Sequence, residues 1–464
     1  MKPVKLTLVY QLNRIVLRLS YNTVFKRFFC PPKTLLIAFF TSITGAAFSQ
    51  VGAPADSLKA DSIRIKKGQQ TRQADNFNKQ YDVGDLYRNI FHPGKAPDTL
   101  KKRSGITVIP NVASNPTIGS QIGIKAVAGM KLGADPSTLL SVAATSASIT
   151  TKGIIYFYIN HNAFTNANKW NFQGSLVAAK TVSPDFGLGI GRGNYESEAN
   201  HVLSDPERKG HVLHSYYFNL REKVYKQVYK NFFLGAGLSF DVRRSIKDNA
   251  DTSGKLTPFK VYNDRFGFPQ DHYSSNGFLF NAEYTTRDNQ NRAYKGIYAD
   301  AGIRINQTWI GSTKNAVQVT TDFRKYFSLS STHPEHVIAV WNWGSYLLSG
   351  AIPYMELPGT ARDGSFKSGR GYVGQYFRGT KFNDTEVEYR FPILNNKFLS
   401  GVVFGSLQTA NDDQGTKLFQ VWQPGGGGGL RVLFNKATRT NLCLDYAWGK
   451  YGSRGFFLNL NEAF

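Results

Sequence analysis

Along most of the chain, apolar and polar positions alternate with a period of two. Trp170, Phe172, Leu176 and Ala178 alternate with Asn171, Gln173, Ser175 and Val177. Val212, Tyr216, Phe218 and Leu220 alternate with Ser215, Asn219, Arg221 and Lys223, and near the end Leu442, Leu444, Tyr446 and Trp448 alternate with Asn441, Cys443, Asp445 and Ala447. Side chains point to opposite faces of a strand in turn, so each segment has one apolar and one polar face. The pattern predicts strands near 105–113, 118–131, 138–150, 153–165, 169–182, 211–225, 231–244, 276–288, 294–309, 316–329, 336–349, 380–393, 398–410, 427–436, 440–449 and 454–464. These are sixteen strands, an even number, which suits an all-β, closed antiparallel barrel with both ends of the chain on one side. The long connections 183–210, 245–275, 350–379 and 411–426 all follow odd-numbered strands, and every connection after an even-numbered strand is short. A transmembrane barrel has this asymmetry, with long outer loops and short periplasmic turns.

The stretch from Gly359 to Pro392 is the most informative. It holds a polar loop with Gly369-Arg370-Gly371-Tyr372, then the strand Glu386-Val387-Glu388-Tyr389-Arg390-Phe391-Pro392. Asp384, Glu386, Glu388 and Arg390 share one face of that strand, and Thr385, Val387, Tyr389 and Phe391 share the other. Four charges on one face are expensive to bury in an apolar core. A wet barrel interior accommodates them, with the apolar face turned to lipid.

An R-G-Y loop motif followed by an acidic strand of this pattern resembles the BamA/TamA-type outer-membrane barrel superfamily, the surface-antigen family. The similarity covers roughly Gly350–Phe464. It implies that the sixth outer loop folds inward and that its Arg contacts acids on the barrel wall. Carried over, Arg370, Gly371 and Tyr372 form the motif, Glu388 is the wall acid and Glu386 a second partner. The sequence departs from the family at Phe404-Gly405-Ser406, where members often carry an inward Asp in place of Ser406. One carboxylate of the clasp is therefore expected to be missing. The resemblance also implies a lateral seam between the first strand, which contains Pro110, and the last. Phe456, Leu458, Leu460 and Phe464 on the last strand resemble the signal read by the outer-membrane assembly machinery.

Composition sharpens this picture. Mean hydropathy of −0.32 excludes a bundle of membrane helices, while 34 Phe, 24 Tyr and 44 Gly suit strands with aromatic girdles. Residues 1–49 carry seven Lys or Arg and no acid, and Leu35–Phe40 followed by Ala47-Phe48-Ser49 reads as an export signal cut before Gln50. Cys30 precedes the apolar run, so it is not a lipoprotein cysteine. Residues 50–104 are polar and read as a flexible periplasmic tail, with one short helix near Asp82–Phe91 and no folded module. The barrel occupies 105–464. The formal charge of +24 falls to +17 without the signal. No nucleic-acid motif accompanies it, so basic loops near lipid headgroups are the reading.

Candidate chemistry is sparse. His211 and His214 are three apart on a strand and point to opposite faces, so they do not chelate together. Gly425–Gly429 lacks the Lys and Ser/Thr of a phosphate loop and reads as a place of bend or close approach at a strand entry. Glu356 and Asp363 do not form a recognisable acid–base pair, and Cys443 reads as a small wall residue. Arg221 and Lys223 facing inward would suit anion selection or simple solvation. No catalytic constellation and no cofactor are implied. Three functions stay open at this stage: insertion or translocation of client proteins, as the resemblance implies; a pore or secretion channel for a solute or separate partner; and a structural surface barrel.

Overall fold

The computed structural model describes residues 80–93, 105–130, 132–135, 138–190, 211–249, 257–413, 415–436 and 438–464. The expected export signal and residues 50–79 lie outside these. The strands are β1 (Gly105–Asn115), β2 (Gly119–Met130), β3 (Ser141–Thr150), β4 (Ile155–Phe164), β5 (Trp170–Asp185), β6 (His211–Tyr229), β7 (Phe232–Asp248) and β8 (Tyr273–Thr285). They continue as β9 (Gly296–Asn306), β10 (Ala316–Ser328), β11 (Val337–Gly350), β12 (Lys381–Pro392), β13 (Leu399–Ala410), β14 (Gln423–Asn435), β15 (Thr440–Gly449) and β16 (Arg454–Leu460). Each pairs antiparallel with its sequence neighbours, and β1 meets β16 to close a sixteen-strand barrel.

The wall is polar inside and apolar outside. On β12 the residues Asp384, Glu386, Glu388 and Arg390 are buried, while Val387 between them is 46% exposed. Val403, Leu407, Leu430, Leu444 and Phe456 are likewise exposed, and Asn171, Asn219, Asp241 and Asn441 are buried. A water-soluble protein has the opposite distribution. Alternation places the polar set in the hollow, where pairing and water satisfy it, and the apolar set outside.

The ladders are unequal. β15 and β16 register over seven residue pairs, from Leu442↔Leu460 to Trp448↔Arg454. Between β1 and β16 the register is the single pair Ser114↔Leu458. The closing seam therefore has the fewest backbone bonds to hold it.

Three expectations need correction. β16 ends at Leu460, and Asn461 takes a left-handed φ of 67°. Phe464 therefore leaves the apolar face of Phe456, Leu458 and Leu460 and is buried beside Trp341, with ring centroids 5.1 Å apart. β14 starts at Gln423, so the five glycines lie within the wall rather than at its entry. The short helix expected near Asp82–Phe91 forms as α1 (Val83–Phe91), and the departure from a flexible tail is that it bonds the barrel through Lys436.

α1 begins at a capping box: the Asp85 N–H donates to the Asp82 side chain and the Asp82 N–H donates to the Asp85 side chain. Both carboxylates also meet the β14–β15 turn. Lys436 N–H donates to Asp82 Oδ2 at 3.0 Å, and Lys436 Nζ to Asp85 Oδ2 at 2.7 Å. Tyr81 N–H donates to Asn396 O, and the Tyr81 ring meets Phe398 edge-on at 5.5 Å. Burial alone would raise the Asp85 carboxyl, but Lys436, the Asp82 N–H and Arg88 outweigh it and hold it below its ordinary 3.8. A depressed carboxyl stabilises the docked state above its unfolded pKa and loses that effect as pH falls through the folded value. The protection factors of the amides in residues 83–91, taken against the unstructured rate at each pH, are therefore expected to be high at pH 7 and to fall as pH drops below about 4. Lys436→Met should lower the protection factors already at pH 7, and pH-independent protection in the unsubstituted chain would contradict the docking.

Candidate functional site

The loop 351–380 between β11 and β12 meets the wall at two places. The first is at Arg370. Its Nε donates to Glu386 Oε2 at 3.0 Å, and its Nη2 donates to the same oxygen at 2.7 Å. Nη2 is also in ion-pair contact with Glu388 Oε1. The backbone joins in, as Gly369 N–H donates to Glu386 Oε1 at 2.9 Å and to Asp384 Oδ2 at 3.1 Å. Below the guanidinium lies the Phe404 ring, with Cζ 3.7 Å from its centroid. A stacked, forked guanidinium suits several acceptors at once, which an ammonium does not.

A carboxylate from another wall strand is present after all. Ser406 faces the interior without a hydrogen-bond partner for its hydroxyl, but Asp445 on β15 brings Oδ2 to 3.3 Å from Arg370 Nη1. Sequence reasoning missed it because Asp445 lies three strands from Glu386. The signal was its place on the polar face of β15, in line with Asn441 and Cys443.

The glycines of β14 make that reach possible. Gly425, Gly427 and Gly429 share the parity of the buried Gln423 and Arg431, and so face the interior. A Cβ on Gly425 would lie 2.8 Å from Arg370 O, one on Gly427 2.7 Å from the Phe404 ring, and one on Gly429 2.9 Å from Asp445 Cγ. Any side chain here would displace the cluster. Gly371 takes φ 105°, open to glycine alone, and a Cβ there would sit 2.6 Å from Trp448 O. The turn sends Tyr372 along the wall. Its hydroxyl donates to Pro424 O at 2.6 Å and accepts from Lys450 N–H at 2.9 Å.

The cluster extends along the hollow. Arg390 Nε donates to Glu388 Oε2 at 2.7 Å, and its Nη2 to Phe464 O at 2.8 Å. Arg431 on β14 bonds Asp445 and donates through Nε to Glu462 Oε2 at 2.6 Å. Lys367 of the loop donates to Glu462 O at 2.7 Å. The residues after β16 are thus tied into the same network, which is where Phe464 goes.

The second place of contact is Glu356, across the barrel. Arg243 on β7 donates to it at 3.2 Å, Tyr273 on β8 at 2.7 Å and Arg362 at 2.5 Å. Asp185 at the end of β5 accepts from the Tyr354 hydroxyl at 2.6 Å and pairs with Arg378 at 3.5 Å. β7 and β15 stand half a circumference apart in the ring of strands. One loop therefore touches both walls. Asp363 instead closes a turn within the loop, accepting from the N–H groups of Ser365, Lys367 and Ser368.

The other candidates are wall residues. His214 Nε2 bonds Asn249 at 3.0 Å, and Cys443 is buried facing Asn461 O. Arg221 sits 4.0 Å from Asp241, and Lys223 donates to Tyr225.

Known structures of similar shape share this architecture. BamA from Haemophilus ducreyi lacking POTRA domains 1-3 matches with a TM-score of 0.52, covering 78% of this chain and 71% of that chain at 13% identity. The chain has the barrel fold of BamA. CdiB from Escherichia coli matches with a TM-score of 0.50 at 8% identity, covering 77% of this chain and 62% of that one, less than two thirds of its length. No protein-family profile matches the sequence, and no curated protein matches it.

Arg370 is buried among three carboxylates; Arg390 and Arg431 still hold Glu388 and Asp445, but Arg370→Ala leaves the buried Glu386 without a cation. It should lower stability by about 3–5 kcal/mol, read from the denaturant midpoint of the purified barrel. The same variant should admit protease into 351–380. Arg370→Lys should fall between the two, because a single ammonium cannot fork across Glu386 and Asp445. An unchanged midpoint with continued protection would contradict the ion-pair account.

Proposed function

We propose that this chain is an outer-membrane barrel that inserts or translocates other proteins, with loop 351–380 folded inward and latched by Arg370. The observation that carries the reading is the pairing of a loop arginine with Glu386, Glu388 and Asp445 beside a barrel seam registered at one residue pair. A loop held against both walls keeps the hollow obstructed and the barrel round, which confines movement to the weakest strand pair. An opened β1–β16 seam presents unpaired backbone N–H and C=O groups to an incoming strand. The barrel fold shared with BamA supports this reading. The apolar outer surface supports a lipid environment, and the placement of every long loop after an odd-numbered strand supports a periplasmic N-terminus. Membrane lipid, the assembly machinery that places the barrel and the client proteins are the partners in this reading, with Phe456, Leu458 and Leu460 as its C-terminal assembly signal.

The test locks the seam. Ser114 and Leu458 are register partners, so cysteines introduced at both positions stand directly opposite each other. Depleting the chain in its host should lower the amount of other outer-membrane barrels. The Ser114→Cys/Leu458→Cys pair should restore them only under reducing conditions. Unchanged barrel levels on depletion, or full rescue by the oxidised pair, would overturn the proposal.

A further inference from the structure

Helix α1 docks on the barrel by its polar side and turns an apolar side outward. Asp85 and Asp82 face Lys436, and Arg88 pairs with Asp85 at 2.9 Å. At 100° per residue, Val83, Leu86, Tyr87, Ile90 and Phe91 fall within one sector on the other side. Leu86, Tyr87, Ile90 and Phe91 are all exposed, the last two by more than 60%. The Tyr87 and Phe91 rings meet at a tilt with centroids 4.8 Å apart, His92 meets the Tyr87 ring edge-on, and both aromatic rings stay more than half exposed. Nine residues do not hold a helix in water by propensity alone. Such a helix with its apolar face bare needs an apolar phase to face.

Its position says which phase. α1 is tied to the β14–β15 turn through Lys436 and to the β12–β13 turn through Asn396 and Phe398. Both turns belong to the short-turn end of the barrel, where the apolar outer surface ends. Ile393 and Leu394, in the β12–β13 turn, are exposed there, and Val403 and Leu430 continue the apolar surface along β13 and β14. The helix is therefore held at the rim where that apolar surface ends. In the sequence Lys95, Lys101, Lys102 and Arg103 follow between α1 and β1, cations that suit anionic headgroups.

We propose that α1 is an interfacial anchor whose apolar face enters the headgroup–acyl boundary of the phospholipid leaflet around the short-turn end. The inference rests on the membrane reading above. A helix of this kind lies in the interface plane with its apolar face about 5–10 Å deep. It fixes the tilt of the barrel at β12–β15, the wall that holds Arg370, and leaves the β1–β16 seam unclamped.

The test uses the full chain in phospholipid vesicles, with an environment-sensitive fluorophore on a single introduced cysteine and the parent chain as the blank for Cys30 and Cys443. The sites are Ile90→Cys on the apolar face, Asn89→Cys on the polar face and Val403→Cys on the barrel exterior. Nitroxide lipids labelled near the headgroup should quench the Ile90 probe about twofold or more above the Asn89 probe, with aqueous iodide ranking them the other way. Quenching of Val403 but not Ile90 by lipid would overturn the anchor and leave the membrane reading standing. Loss of lipid quenching at Val403 would remove both. If the Ile90 probe is shielded from lipid and iodide alike, and Ile90→Asp converts a dimer in detergent to a monomer, a second copy covers the face and the anchor is wrong.

Discussion

Charge buried in the hollow of a barrel must be matched, and this requirement organises the molecule. β12 alone puts Asp384, Glu386 and Glu388 on one buried face. Like charges at alternate positions of a strand repel, and desolvation adds to the cost. Arg390 on the same strand answers Glu388. The remaining demand is met from outside the strand by Arg370 from the loop, while Arg431 on β14 pairs the further acid, Asp445. The loop's position and the strand's electrostatics are therefore one fact seen from two sides. Removing the arginine removes the reason for the acids to be tolerated.

Space is the second half of the same constraint. A guanidinium lying on Phe404 and reaching Asp445 has to pass over β14. A strand of ordinary side chains would fill that path. β14 instead presents hydrogen atoms at Gly425, Gly427 and Gly429, giving up packing to let the loop backbone lie against the wall. Gly371 then bends the loop so that Tyr372 fills the gap and hydrogen-bonds Pro424 and Lys450. The opposite wall needs no such gap, because Glu356 is met there by the long side chains of Arg243 and Tyr273.

The strands were readable because lipid and water impose a two-residue period that local sequence carries by itself. Strand number, antiparallel order and the sites of the long loops follow from that period and from turn residues. Arg370, Glu386 and Glu388 were readable because a motif names the first and the alternation of one strand names the others. Asp445 and Glu356 were not, since each acquires its role only when the sheet closes and brings distant strands to one loop. The fate of Phe464 was hidden for a similar reason: an aromatic at even spacing from Phe456 fits the outer face until Asn461 turns the chain inward. The docking of α1 depended on Lys436, far along the chain, which nothing local to residues 83–91 reveals.

The barrel thus has a braced side and a free side. Loop 351–380 makes contacts with Glu386 and Asp445 on one wall and with Arg243 and Tyr273 on the other, the α1 segment bonds the turns that follow β12 and β14, and β1 and β16 meet at one registered pair. The account stands on the pairing of Arg370 with Glu386, and a double-mutant cycle measures it directly. Arg370→Ala and Glu386→Ala, singly and together, are compared by denaturant unfolding of the purified barrel. A coupling energy of about 1–3 kcal/mol is predicted, with the second substitution costing little once the first is made. Losses that add to within about 0.5 kcal/mol would show that the two side chains act independently and would contradict the account.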